Sequence, residues 1–257
     1  MARFSANLGF LWSDKPLLER IELAAKNGFK AIELHWPYDT PATEVRAACA
    51  RHGLTLLAAN TPLGQPGESG IAALPGREAD FQASFKLSMD WCLASGATAI
   101  HVMAGVIEPS QHAQAFETMV GNLQWAADLA APAGLTLLLE ALNPRDKPDY
   151  LYATQAQSNA VREATGRNHV KLMFDVYHVG VAEGDVLTKL ALYMPHVGHI
   201  QIAAVPSRAE PDEGEINYPV VIERIDALGY KGWIGAEYKA RASVEAGLGW
   251  RQAYPGQ

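Results

Sequence analysis

The stretch Gly134-Leu-Thr-Leu-Leu-Leu-Glu140, followed by Ala-Leu-Asn-Pro144, constrains this chain more than any other. It drives a strand-length run of apolar and β-branched residues into a carboxylate and then closes on Asn-Pro. A continuous apolar run bounded in this way reads as a strand buried on both faces, the pattern of a parallel sheet. Glu140 then ends a buried strand, where a charge is costly unless something there needs one. The pattern recurs: residues 170–175 run into Asp175, 197–201 into Gln201 and 231–237 into Glu237. If these ends share one rim, carboxylate and carboxamide oxygens line an oxygen-rich cup.

The rest of the chain supplies the units that such strands need. Residues 3–11, 29–34, 54–59 and 97–103 read as four earlier strands. Helical patterns cover 15–26, 41–52, 77–94, 110–131, 154–165, 185–193 and 218–228, several closed by a glycine such as Gly53, Gly96 or Gly229. Eight strands alternating with seven long helices predict an α/β chain folded as a (β/α)₈ TIM barrel. A doubly wound sheet would want Gly-x-Gly-x-x-Gly after the first strand, and none is there. No Gly/Ser tract, charge block or low-complexity run divides the 257 residues, so one domain with a short C-terminal tail is expected, and 49% hydrophobic residues suffice for its core.

Charge and composition exclude several partners. A net charge of -7 leaves no basic surplus for a nucleic-acid backbone. No charged leader precedes an apolar segment and no apolar run approaches about 18 residues, so no membrane association is expected. Cys49 and Cys92 lie in predicted helices without CxxC spacing, which suits core thiols in a reducing cytoplasm. Oligomeric state is left open, a homo-oligomer included.

In a barrel, all strand C-termini open on one face, so Glu140, Asp175, Gln201 and Glu237 should converge there, with Glu33, His101 and His178 as a second ring. Such hard oxygen donors suit Mg²⁺ or Mn²⁺, and a cation relieves the repulsion of crowded carboxylates. Glu140 and Glu237 can approach a small substrate from opposite sides, one taking a proton beside a carbonyl and the other returning it. The reaction class expected is therefore that of an isomerase or epimerase.

Several segments then carry a family resemblance. Arg3-Phe-Ser-Ala-Asn-Leu, Leu74-Pro-Gly-Arg-Glu78, Asp175-Val-Tyr-His178, Gly198-His-Ile-Gln-Ile202, Glu210-Pro-Asp-Glu-Gly-Glu-Ile-Asn-Tyr218, Gly229-Tyr-Lys-Gly-Trp-Ile-Gly-Ala-Glu-Tyr-Lys239 and Glu245-Ala-Gly-Leu-Gly-Trp250 resemble the hydroxypyruvate isomerase and 2-oxo-tetronate isomerase family of xylose-isomerase-like barrels. The stretches His101-Val-Met-Ala-Gly-Val106 and Leu139-Glu-Ala-Leu-Asn-Pro, with Lys147-Pro-Asp-Tyr-Leu, are more similar to the oxo-tetronate branch. The resemblance implies that Glu140 and Glu237 are the acid/base pair, that both ligate a divalent metal with Asp175 and Gln201, and that His178 and Arg208 contact a small 2-oxo acid. Related ketose epimerases carry His where this chain has Gln201, and a glutamate near Asp146. A carboxylate clamp would come from the bidentate Arg208 fork and the Lys239 point charge.

Other residues take blander assignments. His35, His52, His112, His169 and His196 read as surface or packing residues, and His199 as a satisfied core histidine. Trp12, Trp36 and Trp250 are expected to wall the pocket, whereas Trp91, Trp125 and Trp233 pack. Arg77 and Glu68, around the Gly/Pro-rich loop 64–76, are read as part of a lid. The alternatives weighed are a ketose 3-epimerase, a metal-dependent endonuclease-like barrel, and a non-catalytic sugar-acid binding protein.

Overall fold

Eight short parallel strands close on themselves in chain order, with β1 (Phe4–Asn7) pairing both with β2 (Ala31–Leu34) and with β8 (Ile234–Ala236). Between them run β3 (Thr55–Asn60), β4 (Ala99–His101), β5 (Thr136–Glu140), β6 (Val170–Asp175) and β7 (Val197–Ile202). The computed structural model describes residues 2–254. The helices are α1 (Leu17–Lys26), α2 (Ala42–His52), α3 (Glu78–Ser95), α4 (His112–Ala130), α5 (Gln155–Thr165), α6 (Val176–Ala182), α7 (Val186–Tyr193), α8 (Tyr218–Ala227) and the single turn α9 (Val244–Gly247). This is the (β/α)₈ barrel that the sequence predicts.

Local chemistry explains where these elements start and stop. The Thr154 side chain accepts from the Gln157 backbone N–H, and the Gln157 side chain accepts in turn from the Thr154 N–H, a capping box that opens α5. Gly53 and Gly96 end α2 and α3 at φ of +65° and +85°, a left-handed stop that a side chain would resist. Cys49 and Cys92 are free, buried thiols in α2 and α3. Among the described residues no helix is long and apolar enough to cross a membrane.

Two differences from the sequence expectation bear most directly on the site. β1 ends at Asn7 rather than running to Leu11, because the Asn7 carbonyl accepts from the Phe10 and Leu11 N–H groups and turns the chain. An additional helix, α6, begins directly after β6. Its seven residues include Val176, Val179 and Val181, poor helix formers that hide it in the sequence. It starts there because the Asp175 carboxylate accepts from the Tyr177 N–H at 2.8 Å and caps it.

Register puts the strand ends level. Asp175 stands beside Gln201, Gln201 beside Gly235, Asn7 beside Glu33 and Asn60 beside His101. Polar residues at these positions therefore meet on one rim.

Candidate active site

Every strand contributes a polar side chain at or next to its C-terminal end. In ring order these are Asn7, His35, Asn60, His101, Glu140, Asp175, Gln201 and Glu237, with His35 and Glu237 one residue past β2 and β8. Of these, His35, Asn60, His101, Glu140 and Glu237 line a cavity of about 390 Å³, a volume suited to a small metabolite, whose wall also includes Phe10, Trp36, Leu63, Met103, Asp146, Lys147, His178, Arg208 and Lys239. Asp175 and Gln201 lie behind this wall and reach it through His178 and Glu237.

Glu237 is held as an anion. Its Oε1 accepts from Asn7 Nδ2 at 2.8 Å and Gln201 Nε2 at 3.2 Å and lies 3.1 Å from His35 Nε2. Its Oε2 accepts from Arg208 Nη2 at 2.9 Å. Burial works against ionisation, but the His35 hydrogen bond and the Arg208 charge outweigh it and hold the carboxyl down at about 2. A Cβ on Gly9 would overlap the His35 ring, so the glycine leaves the room that brings His35 to Glu237.

Glu140 is in the opposite condition. It is 5% exposed, and its Oε1 has no hydrogen-bond partner. The nearest groups are His101 Nδ1 at 3.6 Å from Oε2 and His178 Nε2 at 3.8 Å from Oε1. Burial first, and then the negative charges of Glu237 and Asp175, push its carboxyl well above the usual range. Burial likewise pushes Asp175 up to about 7, with Glu237 adding to it, and Asp175 Oδ2 is also without a partner.

His178 has a defined tautomer. Its Nδ1 accepts from the Asn143 backbone N–H at 3.0 Å, so the neutral ring carries its proton on Nε2, facing Glu140 and Asp175. Burial, followed by the Arg208 charge, depresses its pKa to about 3, and the ring is therefore a neutral donor.

Beneath these groups lies a buried relay of hydrogen bonds. His199 Nε2 is 2.8 Å from Glu33 Oε2, and Gln201 Nε2 donates to the same oxygen at 3.2 Å. Burial alone would lower the His199 pKa, but Glu33 overrides it and raises it. His199 is thus the satisfied core histidine expected. Because the Gln201 amide nitrogen faces two carboxylates, its Oε1 is left buried and unpartnered. A Cβ on Gly235 would overlap Glu33, which requires a glycine beside it.

A divalent cation fits this donor set. Glu140 Oε1, Asp175 Oδ2 and Gln201 Oε1 are three buried hard oxygens with no hydrogen bonds, on adjacent strands β5, β6 and β7. Ligand atoms of Glu140, Asp175 and His178 lie within 4.8 Å of one another, but the tautomer makes His178 a donor toward the oxygens rather than a ligand. Glu237, the fourth ligand that the resemblance implies, has both oxygens engaged.

Arg208 is engaged by two carboxylates of the protein. Besides Glu237 it donates to Asp146 Oδ2 at 3.1 Å, and its guanidinium lies 4.7 Å from the Phe10 ring centre and 4.8 Å from that of Tyr177. Its backbone stands at φ +56°, a costly conformation for a side chain of this size, held by its N–H to the Ala204 carbonyl. Asp146 also accepts from the Tyr177 hydroxyl at 2.8 Å.

The remaining expectations divide. Trp36 lines the cavity, but Trp12 donates to Glu245 in a neighbouring groove and Trp250 packs against Phe4 and Tyr238, so two of the three expected wall tryptophans are elsewhere. Trp91, Trp125 and Trp233 pack as expected. The Arg77–Glu68 ion pair at 2.6 Å fastens the 64–76 loop. His112 and His169 bond to the Leu151 and Ala127 carbonyls, in packing roles. His35, read as packing, instead belongs to the site. Asn7 and Asn143 are further site residues that the sequence reading passed over. Extending the strand-end rule to the first three strands, with β1 stopped before Gly9, finds Asn7, His35 and Asn60; Asn143 leaves no such signal.

A closed eight-stranded barrel with carboxylates at its C-terminal rim defines the class, and the sequence profile of the xylose isomerase-like TIM barrel family matches residues 21–254. Over the whole of both chains, the protein is 44% identical to a 2-oxo-tetronate isomerase of Cupriavidus necator. It is 34% identical to the hydroxypyruvate isomerase of Escherichia coli K12, over 99% of this chain and 100% of the relative. It therefore belongs to the hydroxypyruvate isomerase and 2-oxo-tetronate isomerase family and is an isomerase. A similar crystal structure, titled AP endonuclease, family 2, from Brucella melitensis, has a TM-score of 0.96 at 37% identity, with 99% of each chain covered. An Escherichia coli 3-keto-D-glucoside 4-epimerase, at TM-score 0.83 and 21% identity over 98% of this chain and 99% of that one, shares the fold.

Proposed function

We propose that the protein interconverts a short 2-oxo hydroxy acid and its isomer, either hydroxypyruvate and 2-hydroxy-3-oxopropanoate or 2-oxo-tetronate and its 3-oxo isomer. The observation that carries this reading is one pair of carboxylates in opposite conditions on a small cavity: Glu237 held ionised, Glu140 buried and pushed toward its neutral form. Glu237 takes the proton from C3, and Glu140 delivers one to C2. The hydroxyl proton passes from the C3 oxygen to the C2 oxygen, and His178 Nε2–H is placed to donate to these oxygens as charge develops. Glu237 ends protonated and Glu140 ionised, and exchange with solvent resets them. Glu140, Asp175 and Gln201 are the residues that would hold Mg²⁺ or Mn²⁺, which supplies Lewis-acid stabilisation of an enediolate when bound. The buried free thiols agree with a cytoplasmic setting.

The test is proton NMR in D₂O with hydroxypyruvate and, separately, 2-oxo-tetronate, before and after chelation and return of Mg²⁺ or Mn²⁺. Deuterium should enter the carbon beside the carbonyl as product appears. Glu140→Gln and Glu237→Gln should each lower turnover about 10³-fold while far-UV circular dichroism stays native. No exchange or conversion of either acid under any metal condition overturns the assignment.

A further inference from the structure

An anionic substrate entering this cavity meets Glu140, Glu237 and Asp146 on the wall and Asp175 behind it. The one guanidinium among them, Arg208, already bridges Glu237 and Asp146. Turning it to a substrate carboxylate would break both of these ion pairs. The carboxylate needs another cation.

Two stand at the same wall. Lys147 and Lys239 both line the cavity, and neither ammonium has a hydrogen bond or ion pair among the described residues. Their roots are tied to the catalytic groups. The Lys147 N–H donates to the Asn143 carbonyl at 3.0 Å, and Asn143 is the residue that orients His178. The Lys239 N–H donates to the Arg208 carbonyl at 2.8 Å. One lysine follows β5 and the other follows β8, so they approach the mouth from separate parts of the ring. Unpaired ammonium groups on flexible stems can close on a carboxylate without disturbing the fixed donors below.

We propose that Lys147 and Lys239 together bind the substrate carboxylate at the mouth of the cavity and set the preference for 2-oxo acids over uncharged ketoses. This rests on the isomerase reading above and assigns Lys147 a role beside Lys239, with Arg208 reserved for Glu237. It also orients the substrate, with the carboxylate at the rim and C2 and C3 toward the two glutamates.

The experiment compares the wild-type chain with Lys147→Gln, Lys239→Gln, the double variant and Lys147→Arg. Steady-state kinetics on hydroxypyruvate and on its uncharged counterpart dihydroxyacetone are paired with calorimetric binding of D-glycerate. Each single loss should raise KM for hydroxypyruvate about 10-fold, and the double loss about 50-fold, with kcat changed less than about threefold. The ratio of kcat/KM for hydroxypyruvate to that for dihydroxyacetone should fall about 50-fold in the double variant, and Lys147→Arg should recover most of the Lys147 loss. D-glycerate affinity should fall in parallel. A double variant whose KM and D-glycerate affinity stay within about twofold of wild type overturns the clamp and leaves the isomerase reading standing. Wild type that converts no short 2-oxo acid overturns the isomerase reading. D-glycerate binding then judges the clamp alone: loss in the double variant supports it, and equal or absent binding in both chains refutes it.

Discussion

Replacing Arg208 by Gln tests the electrostatic design of the site. The guanidinium side chain is 16% exposed, and it supplies the donor to Glu237 Oε2, whose side chain is 5% exposed. Removing one partner of a buried ion pair costs roughly 3–5 kcal/mol, because the other charge stays buried and unpaired. Glu237 keeps Asn7, Gln201 and His35 around Oε1, so the low end applies, about 3 kcal/mol. In a domain of this size that corresponds to a fall in Tm of about 6–12 °C. The pH dependence carries the sign. The folded Glu237 carboxyl is held down at about 2, below an ordinary glutamate. The stabilisation is therefore fully present above about pH 4.3, the unfolded value, and is lost as pH falls toward the folded one. Thermal unfolding followed by circular dichroism should show a gap between wild type and Arg208→Gln that is constant from about pH 8 to 5 and narrows below about 4.3. Arg208→Lys, which keeps the charge but not the fork, should recover about half of the gap. A gap below about 2 °C at pH 7, or one that does not narrow in acid, refutes the reasoning.

Two further measurements address the layers around the site. The His199 pKa is raised by Glu33, so that pair stabilises fully below about pH 6.5 and its contribution is lost as pH rises through the folded His199 value; urea unfolding of Glu33→Gln should show weakened stability at pH 6, with the deficit shrinking above that value. Burial pushes the Cys49 thiol up to about 11 and Cys92 up to about 12, so iodoacetamide at pH 8 should label neither in the native protein and both in urea, read by mass spectrometry; native labelling would contradict their burial.

What the sequence predicts, and where it errs, follows from the range of each interaction. The apolar run 135–139 ends in Glu140 whatever surrounds it, and the same holds for Asp175, Gln201 and Glu237, so the strand ends were readable one by one. The eightfold alternation of such runs with helical segments was enough for the barrel, because parallel strands need crossover helices and eight of them can close. Helix α6 is hidden in the sequence because its valines are poor helix formers and its cap, the Asp175 carboxylate, is also the end of a strand.

Only its place one residue past β2 marks His35 locally; its partner Glu237 lies 202 positions away, and Gly9 opens the space. Asn7 reaches the same carboxylate across 230 positions. Local pattern thus determined which oxygens stand at the rim, since burial and strand length are written in neighbouring residues. Only ring closure decided which carboxylate is paired and which is left bare. Closure puts Arg208, Asn7, His35 and Gln201 on Glu237 and none of them on Glu140, and a carboxylate's ionisation depends on the charges and donors within a few ångströms, whatever their distance along the chain.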